Sequence, residues 1–503
     1  MIRTLRALLT TTTAIALAAG LMTSTLHAQV ETADQLVYPP LPAFTLPTPD
    51  TTVLDNGMTV MVQPDRALPL ARVILIVRAG ARWETDADRG VAGLAGQVMR
   101  TGGTADLSSA ELDVLLDGKA ARLEVGIGLN EGVVSFESLA EDFTALLPVL
   151  ADVVRRPAFA PDALEVARQQ TAAGIVRRSD APSSVRSRVF RKLVFGADSA
   201  FGRELSLEQL QAISRDDLVD WHARWIQPER IILGVSGDVD AAEALRAVRA
   251  AFGDWPRGPA FEMPDFSWRE TPRPGLFFIE HEDIDQAYIR IGHLGLRIDH
   301  PDYYATEVLN QLFGAGLSSR LFSVVRSQKG LAYSVYGSIS ANWDHPGVAS
   351  LSIGTKPEST AEAIRALHDE VARLRTEPPS AEEIALAKSA ILNSFVFSND
   401  SPSDVLSQQM TFRYHGAPAD TLARYRAGVE AVTAADIARA VAHFRPDEFS
   451  QLVVGPPEVD LDTLTAFAPD GAIVRLDADG AVIEPASPSE TPAAADAAAS
   501  SVP

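Results

Sequence analysis

The strongest constraint on this chain is that one pattern occurs in it twice. Ala212 opens the run AISRDDLVDWHARWIQPERIILGVSGDVD, and Ala431 opens AVTAADIARAVAHFRPDEFSQLVVGPPEVD. Ser214 matches Thr433, each a helix N-cap residue, and Asp217 matches Asp436. Trp225 matches Phe444, Pro228 matches Pro446, and Gly237 matches Gly455 after a slip of one residue. The offset is 219 residues at the caps (433 minus 214) and 218 at the prolines (446 minus 228). A helix-then-strand unit repeated at that distance implies two similar α+β halves, each of about 220 residues and so of ordinary domain size.

The remaining sequence fits around these halves. Residues 1–28 have a basic start at Arg3 and Arg6, an apolar Thr/Ala-rich stretch from Leu8 to Met22, and small Ala28 before Gln29. That is the pattern of a secretory signal peptide. The apolar stretch is short and thinned by threonines, which disfavours a membrane anchor. The expected location is therefore the periplasm or the exterior, with no stable membrane insertion. A Pro-rich lead covers 29–49. The first half is 50–254, a linker with five prolines covers 255–274, and the second half is 275–476. The Ala/Pro/Ser/Glu-rich end, 477–503, reads as a disordered acidic tail.

Composition excludes several functions. The chain holds 66 Asp+Glu against 44 Lys+Arg, a net charge of -22, with no run of basic residues, so nucleic acid is not an expected partner. It has 0 Cys, which removes disulfides, thiolate metal sites and a cysteine nucleophile. Local patterns place a hairpin at Asn56-Gly57, a buried strand at Ala71–Val77, and helices at Gly90–Arg100, Ser109–Leu116, Phe143–Val154 and Asp162–Arg178. Leu123–Phe136 alternates as a strand pair.

A search for chemistry finds no complete catalytic set. None of the nine histidines makes a zinc-binding H-x-x-x-H or H-x-x-E-H pattern, and there is no G-x-S-x-G elbow or P-loop. His281-Glu282-Asp283 reads as a surface strand end, and His222 as a packing residue at the edge of the core. The informative stretch is Gln311–Ser340, QLFGAGLSSRLFSVVRSQKGLAYSVYGSIS. Gly314 and Gly316 break one helix, Ser318 or Ser319 caps another over Arg320–Ser327, and Lys329-Gly330 leads into a strand over Leu331–Ser340. Arg326 and Tyr333, seven residues apart, can then reach one surface. Either they offer a donor fork and a hydroxyl to a bound peptide, or Arg326 serves the helix terminus and Tyr333 the core.

The stretch Gly314–Tyr336 resembles the second-domain signature of the M16 peptidases, the pitrilysin, insulinase and mitochondrial processing peptidase group. The resemblance extends to the L-D-N-G-M-T-V opening at Leu54, the Gly90–Thr104 helix, Phe201-Gly202 and the repeated second half, nearly all of 50–457. It implies two homologous domains, each a mainly antiparallel sheet packed with helices. Active members carry H-x-x-E-H in the first helix and a further glutamate ligand about 77 residues on. Aligned flanks put Gly93 and Gln97 at the histidine positions, Gly96 at the general base and Gly174 at the third ligand, with Ala167 at an auxiliary acidic position. Glycine has no ligand atom and a lone Gln amide is a poor one, so this chain is expected to bind no metal. The family's substrate-binding Arg/Tyr pair matches Arg326 and Tyr333, and Gly314 and Gly316 match its substrate-guiding loop only weakly.

The resemblance therefore implies an M16B-type non-catalytic subunit, inactive alone, that positions peptides for an exported zinc metallopeptidase. Its partner would carry the intact H-x-x-E-H motif and the zinc. The alternative is an inactive peptide-binding or scaffold protein without a peptidase partner.

Overall fold

The computed structural model describes residues 47–260, 262–397 and 401–483. The signal-peptide reading, most of the Pro-rich lead and the tail from 484 onward lie outside the described residues. Among the described residues no helix is long and apolar enough to cross a membrane.

The first half starts with a hairpin of β1 (Asp50–Val53) and β2 (Thr59–Pro64). Its turn uses Gly57 at φ +91°, a left-handed conformation that glycine adopts without a Cβ clash. Asn56 ties the turn down by donating to the carbonyls of Phe252 and Trp255, at 2.8 and 3.2 Å. Four more strands complete a sheet: β3 (Leu70–Val77), β4 (Arg122–Ile127), β5 (Gly132–Leu139) and β6 (Ile231–Gly237), in the order β1-β2-β6-β3-β5-β4. Its helices are α1 (Val91–Thr101), α2 (Ser109–Gly118), α3 (Phe143–Arg155), α4 (Pro161–Val176), α5 (Pro182–Phe195), α6 (Leu207–Ala212), α7 (Arg215–Trp225) and α8 (Ala241–Phe252).

The second half repeats this plan. Its strands are β7 (Gly275–Glu280), β8 (Ala287–Leu294), β10 (Val335–Ile339), β12 (Val348–Thr355), β13 (Ser450–Gly455) and β14 (Ile473–Leu476), with β9 (Leu296–Arg297) and β11 (Ala341–Asn342) as a small separate pair. The order β14-β7-β13-β8-β12-β10 superposes on that of the first sheet. In both, the late repeated strand enters the middle, parallel to one neighbour and antiparallel to the other. Only the outermost strand differs in origin: β1 precedes its sheet, whereas β14 follows and runs parallel to β7. The helices are α9 (Tyr303–Phe313), α10 (Thr360–Thr376), α11 (Ala381–Phe397), α12 (Pro402–His415), α13 (Thr421–Ala431) and α14 (Ala434–Val441). The repeated caps are real: Ser214 and Thr433 each form a capping box, with Asp217 and Asp436.

Each half buries one sheet face beneath its own helices. The other face is covered by exchange. α5 of the first half places Val185, Val189, Phe190 and Leu193 against Phe277, Ile279, Leu452 and Val454 of the second sheet. α12 of the second half places Leu406, Met410 and Tyr414 against Met61, Ile76 and Ile232 of the first. The two helices are equivalent in the repeat. Both open with Pro-Ser-x-Val, at Pro182 and Pro402, 220 positions apart (402 minus 182). Gly234 in β6 makes room for α12, because a Cβ there would run into the Met410 sulfur.

Ion pairs and aromatic contacts close the same boundary. Arg82, only 5% exposed, meets Asp344 at 2.7 Å, and its guanidinium lies over the Trp83 and Phe266 rings. His345 hydrogen-bonds Asp344 at 2.7 Å and stacks on Phe201 at 4.2 Å. Burial alone would raise the Asp344 carboxyl, but the His345 bond and the Arg82 charge hold it at about 2. The described residues of 255–274 have no regular structure, yet Phe266 packs against Phe201 and the Arg269 N–H donates to the Phe195 carbonyl. The reading of a disordered tail from 477 needs correction at its start. Residues 477–483 turn back through a Leu476–Val482 bridge, and Asp479 pairs with Arg178 and Arg188 of the first half at 3.1 and 2.6 Å.

Two consequences can be measured. Gly234→Val overpacks the Met410 seat and should cost about 1–3 kcal/mol; a thermal melt with an unchanged midpoint would contradict the exchange. Asp344→Asn leaves Arg82 buried without its counter-charge and should cost about 3 kcal/mol in denaturant unfolding. The folded Asp344 pKa is depressed, so its contribution is full above the ordinary carboxylate pKa and fades as pH falls toward 2. The wild-type minus mutant stability difference should therefore shrink over that window and be flat from pH 5 to 7.

Candidate functional site

Arg326 and Tyr333 come together. Ser319 accepts the Phe322 N–H at 3.3 Å and begins a helical segment, Phe322–Gln328, wound as a π-helix rather than the α-helix read over Arg320–Ser327. Such wide turns are rare and often mark functional sites. Gly330 ends it at φ +65°. Residues 331–334 are irregular, and the strand read from Leu331 starts at Val335. The chain thus turns at its exposed end, and the Arg326 guanidinium lies 5.0 Å from the centre of the Tyr333 ring and 4.6 Å from that of Phe322. Tyr333 is 85% exposed, so it is not a core residue. Among the described residues the Arg326 guanidinium has no hydrogen-bond or ion-pair partner, leaving its N–H fork open to a ligand. Arg320, by contrast, is consumed by Glu383 at 2.8 and 2.9 Å.

The two glycines divide in role. Gly314 caps α9, and a Cβ there would strike the Gly337 backbone of β10, so its duty is packing. Gly316 takes φ +84° in open space, a turn requirement only. Tyr336, half-exposed on the edge strand β10, lines the same surface as Tyr333. The Tyr-x-x-Tyr spacing was the sequence signal for it.

The degenerate metal positions also come together. α1 and α4 are paired through Gln97, whose amide donates to Gln170 at 2.6 Å. Gly93 and Gly174 each lie one turn from that pair, exposed, with nothing within 4 Å of a would-be Cβ. Ala167 is buried. Gly96 is different: a Cβ there would sit 2.7 Å from the Ile127 side chain and 2.8 Å from its backbone N. β4 has closed onto the helix at the position where a general base would stand. These residues offer two amides and no imidazole or carboxylate, so they do not fit a zinc ion.

Other titratable clusters have structural duties. His300, Asp302 and His443 are the one group among the described residues close enough to surround a cation. Asp302 is already held by Arg439 at 3.1 Å and His443 at 2.9 Å, and His300 accepts the Asp302 N–H. His281 bonds the carbonyls of Glu282 and Ser179. His222 bonds the Val154 carbonyl at 2.8 Å and meets Phe159 edge-on, and burial lowers its pKa. A cavity of about 700 Å³ opens beside Tyr303, Trp343, Phe412 and Tyr425 in the second half, away from Arg326.

Restoring the motif residues should not restore the site. Gly96→Glu should lower stability by about 1–3 kcal/mol, and Gly93→His/Gly96→Glu/Gln97→His should fail to hold stoichiometric zinc through gel filtration. A triple variant as stable as wild type that retains one zinc would overturn the steric argument.

Two family models match the chain: "Insulinase (Peptidase family M16)" over residues 59–195 and "Peptidase M16 inactive domain" over 212–391. An uncharacterized zinc protease of Mycobacterium tuberculosis is 26% identical over 416 residues, covering 81% of this chain and 93% of its own. A Helicobacter pylori protein named non-peptidase homolog YmxG is 25% identical over 365 residues, covering 71% and 82%. The crystal structure of a peptidase M16 inactive domain from Pseudomonas fluorescens matches with a TM-score of 0.72 at 23% identity, covering 81% of this chain and 98% of that one. With the duplicated fold, the empty zinc positions and both family models in register, the chain belongs to peptidase family M16 and is related to its non-peptidase homologues.

Proposed function

We propose that this chain is the non-catalytic, substrate-positioning subunit of an exported heterodimeric zinc metallopeptidase, inactive by itself. The observation that carries the reading is the exposed Arg326–Tyr333 pair, whose guanidinium has aromatic neighbours but no internal carboxylate. A guanidinium kept in place by two rings is pre-organised to grip a peptide carbonyl or carboxylate. The first half has no residues for a metal, so the chain's contribution to cleavage is binding and orientation. The metal and the general base belong to an M16 partner with an intact H-x-x-E-H motif. Export rests on the signal-like residues 1–28.

A second reading has its own support, the resemblance to a protein named as a non-peptidase homologue. It keeps peptide binding and drops the partner.

The test is reconstitution. The mature chain is captured from periplasm and the eluate is analysed for an H-x-x-E-H subunit and zinc. In the recovered complex, Arg326→Ala should reduce peptide turnover about tenfold to a hundredfold, as for the loss of a charged hydrogen bond, without weakening subunit association. Undiminished turnover would remove the positioning role. Absence of any such partner would favour the second reading.

A further inference from the structure

The outer face of the second sheet has two different parts. Over β7, β13 and β14 it is apolar, and α5 packs across β13 and β8. Toward the other edge the same face turns polar. Leu452 and Val454 pair with Arg290 and Tyr288 on β8, and Arg290 pairs with Ser352 on β12, which pairs in turn with Tyr336 on β10. Paired residues share a face. α5 still packs over β8, where Arg290 lies against Phe190; beyond it, toward β12 and β10, a cleft of about 300 Å³ opens, lined by Arg186 of α5 and by Tyr288, Tyr333, Tyr336, Ser352 and Gly354.

Arg186, which lines this cleft, and Arg290, close by beneath α5, have no counter-charge among the described residues. The Arg186 guanidinium rests 5.7 Å from the Tyr288 ring, and its buried Nε has no hydrogen-bond partner. Arg290 lies 4.7 Å from the Phe190 ring, its Nε is also unpartnered, and its one hydrogen bond, to Ser350, is 3.4 Å long. Neither makes an ion pair with a described residue, and the charge of Arg186 acts on Arg290. Burial is the main cause that lowers both pKa values, yet arginine keeps its proton. Two like charges side by side in a half-buried site are unfavourable without an anion. Their neighbour on the same helix shows the usual solution: Arg188 holds Glu204 at 2.7 Å and Asp479 at 2.6 Å. Although the chain has 66 acidic residues, no described acid pairs with either arginine, which leaves a place for one from outside.

We infer that this cleft is a carboxylate subsite, taking an aspartate or glutamate side chain of a peptide held at Tyr333. This deepens the peptide-positioning reading and rests on it. The Arg186 fork can bind the carboxylate bidentately, and the Arg290 charge close by adds to the attraction. The Ser352 and Gly354 floor leaves room for a side chain, and the Tyr333 and Tyr336 rings flank it. Although the protein is acidic overall, the subsite therefore selects acidic residues.

The test uses fluorescein-labelled peptides of one unstructured sequence, C-terminally amidated, with Glu-Glu, Gln-Gln or Lys-Lys at the centre. Binding to the full chain is followed by anisotropy. The Glu-Glu peptide should bind about tenfold more tightly than Gln-Gln, as a charge-assisted bond implies, and Lys-Lys more weakly than either. Arg186→Gln and Arg290→Gln should each reduce the Glu-Glu preference, and Arg186→Lys should keep part of it. Since Arg186→Gln removes an uncompensated charge, its melting temperature should hold or rise, which separates lost binding from lost folding. Equal binding of Glu-Glu and Gln-Gln, or a preference that survives both Gln substitutions, would overturn the subsite. So would tight binding confined to a Gln-Gln peptide with a free C-terminus, since the chain end would then be the carboxylate recognised. Arg326→Ala should weaken all three peptides alike. If it does so while the Glu preference is absent, only the subsite fails; if the preference stands and Arg326→Ala has no effect, the positioning role fails instead.

Discussion

Everything else in this molecule depends on the exchange of α5 and α12. A sheet that carries its own helices on one face still has a second apolar face to hide. In each half that face includes the central repeated strand: Leu452 and Val454 in one, Ile232 in the other. Neither half covers it alone. The equivalent helix of the opposite half does so, and each half thereby buries part of the other's core. The proline-rich segment between them is therefore not a hinge. It is pinned through Phe266, Arg269 and the Arg82–Asp344–His345 cluster, and the 477–483 turn clamps the same boundary from the C-terminal side. A chain locked this way presents fixed surfaces.

The exchange also explains where binding groups remain available. α5 packs across β13 and β8, and a cleft remains toward the β12 and β10 edge of its sheet. The uncovered β10 edge is where the π-helix delivers Arg326 and Tyr333, and where Arg186 reaches across from the first half. A residue of one half thus lines a cleft on the sheet of the other. That is a direct result of the exchanged helix, and a domain standing alone could not supply it.

The repeat, the caps at Ser214 and Thr433, the Asn56-Gly57 hairpin and the Arg326/Tyr333 proximity were all legible in the sequence, because each shows in a short run of residues. The π-winding was not, since a helical run does not announce its hydrogen-bond register. The strand start at Val335 was missed because Leu331 and Ala332 look apolar enough to extend it, whereas they pack beneath the turn. The recurrence of Pro-Ser-x-Val at Pro182 and Pro402 was visible, but its meaning was not: nothing local says that a helix will cover the opposite sheet. Arg186 and Arg290, 104 positions apart (290 minus 186), become neighbours only through that packing. Asp479 carried no signal either, since it sits in a stretch whose composition reads as solvated tail.

The loss of metal chemistry and the survival of the Arg/Tyr pair are physically independent, and this makes a positioning subunit coherent. A zinc site needs several donors held on two helices at once, and removing any one opens the set. Here the removal goes further than empty positions. Gly96 lets β4 lie directly against α1, with Ile127 filling the space a glutamate would need, and Gln97, at a histidine position, is satisfied by Gln170 instead. The first half has gained packing in exchange for chemistry. The Arg326–Tyr333 surface asks nothing of those helices. It is built from one wide turn and one strand edge in the other half, so its geometry does not depend on the positions where the zinc motif would stand.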